Sequence, residues 1–476
     1  MPLPLSPRTL LLLMLFVSAT LHAFASDEPE PATRPPLALS EVTQSVANLY
    51  PPLLGALIER DIAAGHLQSA QGTFDFNWFA KALGTPAGFY DSRTVETGFE
   101  KFTGLWGSTL FGGYRLTDGD ELPDYYRKDR TQSGGELQLG IEVPLLRNGR
   151  IDKRRAAVMK ARYDAELAEP RIQRQQVDFM RTATSAYFRW LAAGTKLRLA
   201  RAQLNLARNR VDVLSAQVDK GLIKKLVITD NRRLVVDREI QATRTRRSFE
   251  AAALALSLFH RDETMAPLIT GLDRLPETFP EAPAPAKLNL ESGLRLAMEL
   301  RPELKQLAIE LAKAGIDIEQ ARNEMSPFLD ASVFGEQNFG AEIYDDIDDF
   351  ELKAQLELRM PLERREARGE RRVATSKQRQ LLWDAQFARE RIATEVRNAH
   401  SALIAAHEQI HMADINVALA QELESAEKAM FTQGASDFLA VQLRERATFD
   451  AQIKRVEAIE TFFISMAAYQ AASMQL

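Results

Sequence analysis

The stretch ELKAQLELRMPLE, Glu351 to Glu363, decides the fold. Leu352, Ala354, Leu356, Leu358 and Met360 alternate with Glu351, Lys353, Gln355, Glu357 and Arg359. Period two sends one set to each face of a β-strand. Lys353, Glu357 and Arg359 are too polar for a packed interior. A strand with one apolar and one charged face fits a soluble antiparallel sheet wetted on one side, or a membrane barrel that encloses water. Pro361 closes the strand, because proline cannot continue a ladder of backbone hydrogen bonds.

Beyond the proline the period changes. Ile392, Val396, Ala399, Leu403, Ala406, Ile410, Ala413, Val417 and Ala420 step by three and four. This is a coiled-coil repeat with small seam residues, which permit close helix approach. A helix of roughly seventy residues at 1.5 Å per residue spans on the order of 100 Å. Gly434 marks a reversal, and a helix of about forty residues returns from DFLAVQLRERATFDAQI. A strand hairpin thus carries a long helical hairpin.

The same plan occurs earlier in the chain. Without a gap, Leu37, Leu39, Leu49, Pro51, Leu53, Ile58, Glu59, Ala63 and Ala70 fall on identical residues of the stretch that starts at Leu288. LQLGIEVPLLRNGRIDKRRA around Pro144 matches AQLELRMPLERREARGERRV around Pro361, and VDKGLIKKL at Gly221 matches FTQGASDFL at Gly434. Three landmarks in one order make an internal duplication. The expected organisation is a first repeat over 37–262 and a second over 288–476, joined by a Pro-rich linker over 263–287. The strand hairpins fall at about 73–143 and 328–360, and the helical hairpins at about 145–262 and 363–474. Each repeat opens on a helix broken at Pro51 or Pro302. Leu197, Ala200, Leu204, Ala207, Val211, Leu214 and Val218 repeat the helical seam.

Two strand pairs give about four strands per chain. That is too few to close a barrel around water, so several chains would share one. The first hairpin region does not match the second in length. It is longer by about 34 residues, the difference between the offsets of the two matches (251 − 217). The excess lies within 79–135, where an extra strand, an outer cap and an inward plug all fit. YDDIDD, Tyr344 to Asp349, is the expected second outer loop.

The ends and the composition narrow the class. Arg8 precedes the apolar run TLLLLMLFVSATLHAFA, and Ala23-Phe24-Ala25 offers small residues where a signal peptidase reads. Residues 1–25 read as a cleaved secretory signal and 26–36 as an N-terminal linker. No later segment approaches the twenty uncharged apolar residues of a membrane helix. The chain has no cysteine, which excludes disulfides, thiolate metal sites and an acylated N-terminal cysteine. Its charge is −5 with scattered Lys and Arg, so nothing calls for nucleic acid.

One motif points elsewhere. His407-Glu408-Gln409-Ile410-His411 is H-E-x-x-H, which on a helix sets two histidines one turn apart for zinc with a glutamate to activate water. A zinc hydrolase also needs a third ligand and a shaped cleft. Glu422, Glu424 and Glu427 lie further along the same straight helix and cannot fold back, so the match reads as incidental. His407 and His411 remain the only candidate metal ligands; no cofactor and no catalytic residue are expected.

Taken in order, these landmarks resemble the TolC-type outer-membrane efflux proteins. The resemblance covers nearly all of the mature chain and rests on the duplication, on RPEL at Arg301 to Leu304, on VPLL and MPLE at the strand ends, and on the tips KGLIKKLVITD and QGASDFLAVQ. It implies a mainly α tube with a membrane β-barrel part. In such a homotrimer a 12-stranded barrel in the outer membrane continues into a long periplasmic α-helical barrel. It implies a non-enzymatic exit duct in a Gram-negative outer membrane, unlipidated and in contact with outer-membrane lipid, working with a periplasmic adaptor and an inner-membrane pump in efflux or type I secretion. By the same resemblance the hairpin tips meet the adaptor, at Gly221, Leu222, Gly434 and Ala435, and Asp230 and Asp437 are candidate acidic residues of the entrance. The alternatives are a periplasmic coiled-coil adaptor or structural rod, which would not need charged-face strands in two repeats, and a secreted zinc hydrolase.

Overall fold

The computed structural model describes residues 35–87, 90–119, 122–123, 130–221, 224–284 and 289–476. The expected signal peptide and Leu222 lie outside these residues. Three short helices lead in: α1 (Leu39–Leu49), α2 (Pro51–Leu57) and α3 (Glu59–Gln71). Four strands follow, β1 (Phe76–Thr85), β2 (Ser92–Phe102), β3 (Thr109–Gly119) and β4 (Glu136–Pro144). Then come α4 (Lys153–Asp219) and α5 (Leu226–Ser257). The chain continues with α6 (Leu290–Leu300), α7 (Pro302–Asn323), β5 (Phe328–Asn338), β6 (Phe350–Arg359), α8 (Arg365–Thr432) and α9 (Phe438–Ala472).

Both prolines act as the sequence predicts. Pro51 and Pro302 each sit at the first position of a new helix, where the missing N–H costs nothing. Tyr50 and Arg301, just before them, are extended (ψ 110° and 124°) and break the preceding helix. The long helices α4 and α8 run 67 and 68 residues, so each is about 100 Å long. Alanine is the commonest of their buried residues, including Ala183, Ala192, Ala200 and Ala207 on α4 and Ala374, Ala385, Ala388 and Ala406 on α8.

The helices form one curved layer that changes membership along its length. Toward the sheet the neighbours run α3, α4, α7, α8; toward the hairpin tips they run α5, α4, α9, α8. Where the two sets meet sits the main core. Phe188 stacks on Phe463 at 4.3 Å with Trp190, Phe249, Val396 and Phe462 buried around them. Trp190 Nε1 donates to Thr270 O at 3.2 Å. The segments ahead of α1 and of α6 are each tied down by a tyrosine. Tyr187 OH donates to Leu37 O at 2.9 Å and Tyr469 OH to Asn289 O at 3.0 Å. Burial pushes the Tyr187 hydroxyl up to about 12, so it stays a donor.

The sheet departs from expectation. It is one antiparallel sheet of six strands in the order β1-β2-β3-β4-β5-β6, where the sequence suggested about four. The long first hairpin region holds two hairpins, because the excess within 79–135 supplies an extra pair of strands. Three chains of this form would carry 3 × 6 = 18 strands, and the expected count of twelve does not follow.

Candidate conduit: the wet sheet face and the hairpin tips

The register sorts every strand residue onto one of two faces. On one face Trp78, Phe99, Gly112, Leu139, Gly335 and Leu352 form a single row across all six strands. Rows above and below it hold Ala80, Val95, Leu110, Ile141, Val333, Leu356 and Leu358. Trp78 is 71% exposed and Leu352, Leu356 and Leu358 are 66–69% exposed, an apolar area that water alone would not cover.

The opposite face is charged. Glu96, Glu100, Glu136, Glu142, Asp330, Glu336, Glu351 and Glu357 share it with Lys81, Arg115, Lys353 and Arg359. Eight carboxylates against four cations leave 4 − 8 = −4 on this face. Part of the charge is paired: Arg115 to Glu136 at 3.1 Å, Lys353 to Glu351 at 2.8 Å and also to Glu336, Arg359 to Glu357 at 2.9 Å. Phe79, Phe111 and Phe334 lie among them, over glycines of neighbouring strands. At the far end from the helices, the β3–β4 and β5–β6 connections are joined. Arg130 pairs with Asp346 at 2.7 Å and covers the Tyr344 ring, and Gln132 donates to Tyr344 O at 2.9 Å. YDDIDD is indeed the loop between β5 and β6.

The other ends of α4 and α8 turn back at the predicted glycines. Gly221 (φ +70°) and Gly434 (φ +73°) adopt the left-handed conformation that lets a helix stop and reverse. Gly434 N donates to Phe431 O at 3.0 Å and Ala435 N to Met430 O at 2.9 Å, satisfying the last carbonyls of α8. Asp437 caps α9, its Oδ1 accepting from Ala440 N at 2.8 Å. Asp230 is exposed in the first turns of α5. Both acidic residues are exposed, and Asp437 also holds a helix end.

Sequence reading missed the pairs that join the hairpins near these tips. Arg210 of α4 makes a two-pronged contact with Glu445 of α9, whose side chain is 3% exposed, and Lys428 of α8 lies 3.5 Å from the same carboxylate. The signal was present: Val441, Glu445 and Thr448 step by four and three, which places a glutamate on the buried seam. Glu427, also buried, takes Ser436 Oγ and Arg444. Thr448 Oγ1 donates to Ala420 O at 3.1 Å, and Asn231 Nδ2 to Ala207 O at 3.0 Å, pinning each return helix to its partner.

Of the H-E-x-x-H histidines only His407 is seen in packing. The His407 ring lies edge-on to Phe462 at 5.7 Å and His411 is exposed one turn on. Among the described residues no group of three or more His, Asp or Glu could hold a metal ion, so the third ligand a zinc hydrolase requires is not assembled around them. Among the described residues, too, no helix is long and apolar enough to cross a membrane.

No protein-family profile matches the sequence, and no curated protein does. Solved structures do match. CusC, described as forming a transmembrane channel, is 14% identical with a TM-score of 0.65 over 94% of this chain and 99% of that one. The outer-membrane protein VceC of Vibrio cholerae is 15% identical with a TM-score of 0.63 over 91% and 95% of the two chains. The open outer-membrane channel MtrE of Neisseria gonorrhoeae is 14% identical with a TM-score of 0.64 over 91% and 88%. At this identity the likeness is one of fold: nearly the whole chain has the architecture of the outer-membrane channels of the TolC type.

Proposed function

We propose that this protein is a passive export duct of a Gram-negative outer membrane. Three copies close a shared barrel whose apolar face meets lipid, and their helices continue it as a tube through the periplasm. The tips at Gly221 and Gly434 to Ala435 are the end that an adaptor and an inner-membrane pump engage, with Asp230 at the mouth. The reading is carried by one observation: across the six-stranded sheet apolar side chains gather on one face, interrupted by Arg93, Lys101 and Asp118 toward the strand ends, and most of the charge on the other, on a chain with two helices of about 100 Å. A membrane barrel that encloses water needs that division, and an adaptor or soluble rod does not. The channels CusC, VceC and MtrE support it by shared fold.

The test is the native mass of the protein extracted with mild detergent from isolated outer membranes. A three-chain particle is expected. A monomer or dimer in the soluble periplasmic fraction would sink the proposal.

A further inference from the structure

The sheet has two open edges. Among the described residues no strand pairs with the outer side of β1 or of β6. Open edges ten residues long invite pairing with another chain. The two fit each other. Strand direction alternates through an even number of strands, so β6 of one copy and β1 of a second copy run antiparallel when placed side by side. Both carry apolar residues on the lipid-side face, Phe76, Trp78, Ala80 and Ala82 against Leu352, Ala354, Leu356 and Leu358. On the charged face β1 offers Lys81, and β6 offers Glu351 and Glu357 already paired to Lys353 and Arg359, so no like charges face each other in excess across the seam.

The extra hairpin is built as wall. Its charged face alternates in sign from strand to strand, Lys81, Glu96, Arg115, Glu136, in one register row. All ten residues of β1 are paired to β2. The β2–β3 turn rests on the β4–α4 junction, where Arg154 covers the Phe102 ring at 3.3 Å. A cap or plug would break these rows.

Breadth is compatible with the same arrangement. Four helices abreast, at about 8–10 Å between axes, cover roughly 32–40 Å. Six strands about 4.8 Å apart, at a tilt of about 40°, cover roughly 38 Å, and four strands only about 25 Å. We infer that β1 of one copy pairs with β6 of the next, so that every copy contributes six strands to the wall and three copies make a barrel of eighteen as broad as the helical tube beneath it. The exit then imposes no narrowing of its wall, and at equal tilt its circumference is about one and a half times that of a twelve-stranded barrel. It suits bulkier cargo than a narrower barrel would pass.

This inference rests on the trimeric duct, and its test separates the two. The cysteine-free chain permits site-specific crosslinking without background. Ala82→Cys with Ala354→Cys joins β1 to β6 of a second copy; Leu116→Cys with Ala354→Cys would join β3 to β6 if β1 and β2 stood outside a twelve-stranded wall. Each pair is treated in native outer membranes with a thiol crosslinker of about 8 Å reach, and the single-cysteine variants serve as assembly controls. The expected result is loss of the monomer band to two- and three-chain species for the β1–β6 pair alone. Crosslinking through β3–β6 instead, or through neither pair in particles of three-chain mass, overturns the eighteen-stranded wall and leaves the duct standing. A native mass other than three chains overturns both.

Discussion

At the scale of single residues, the buried polar groups carry the sharpest consequences. His260 is 4% exposed, with Nδ1 at 3.1 Å from Thr270 Oγ1 and Nε2 at 3.1 Å from Glu41 Oε1. Arg274 clamps the same Glu41 at 2.9 and 2.7 Å. Burial holds His260 below its usual 6.5, against the pull of Glu41, and the Arg274 bond holds Glu41 below its usual 4.5. Both folded values are depressed, so each group's contribution to stability is complete above its unfolded value and drains away as the pH falls through the window below it. The thermal midpoint should therefore fall on acidification, starting near pH 6.5, and His260→Gln should flatten the upper part of that slope. A midpoint series from pH 8 to 5 on both proteins checks this. The Arg210–Glu445 pair gives a second prediction. Glu445→Ala removes a buried carboxylate and leaves the part-buried Arg210 without its two-pronged partner, which should cost about 1–3 kcal/mol. Limited proteolysis should then cut near both tips faster than in the parent, while the sheet stays protected.

At the scale of elements, patterning explains what the sequence disclosed and what it hid. β6 was legible because apolar and polar side chains alternate without interruption. The extra pair of strands was not. β2 and β3 carry glycine on both faces, at Gly98, Gly112 and Gly113, and aromatic residues stand on the charged face at Phe79 and Phe111, so period two is blurred. The blur has a packing cause: Phe111 and Phe334 occupy the space a side chain at Gly140 would need. Gly140→Val should overpack that row by about 1–3 kcal/mol and lower the temperature at which the folded barrel yields to sodium dodecyl sulfate, read as a gel shift. The tips were legible because only glycine accepts their backbone cheaply. Gly434→Val should cost on the order of 1–2 kcal/mol and loosen the second tip, measured by amide exchange over 428–440. The cross-hairpin pairs were harder to see, because a charged residue on a helix is ordinarily solvated and the partner lies 235 positions away.

At the scale of the whole molecule, the charge on the charged sheet face gives the proposed duct a selectivity that can be measured. Three such faces would line the exit with net negative charge, and a lumen of one sign concentrates ions of the other. In planar bilayers with a salt gradient the reversal potential should show cation preference. Glu142→Gln with Asp330→Asn should move it toward zero without abolishing conductance. The preference should weaken as ionic strength rises, because the Debye length shrinks to about 3 Å at 1 M.

The order of the strands along the chain also sets a timetable for biogenesis. β1 to β4 come before α4, and β5 and β6 only after the whole of α4, α5 and the Pro-rich linker. During synthesis and export the first four strands emerge as a complete meander with β1 and β4 both open. Local pairings form early and the β4–β5 pairing late, since its loop is long. For that interval the partner waiting for β4 is a segment still to be delivered, and β1 of another nascent chain is a competitor that must be kept away.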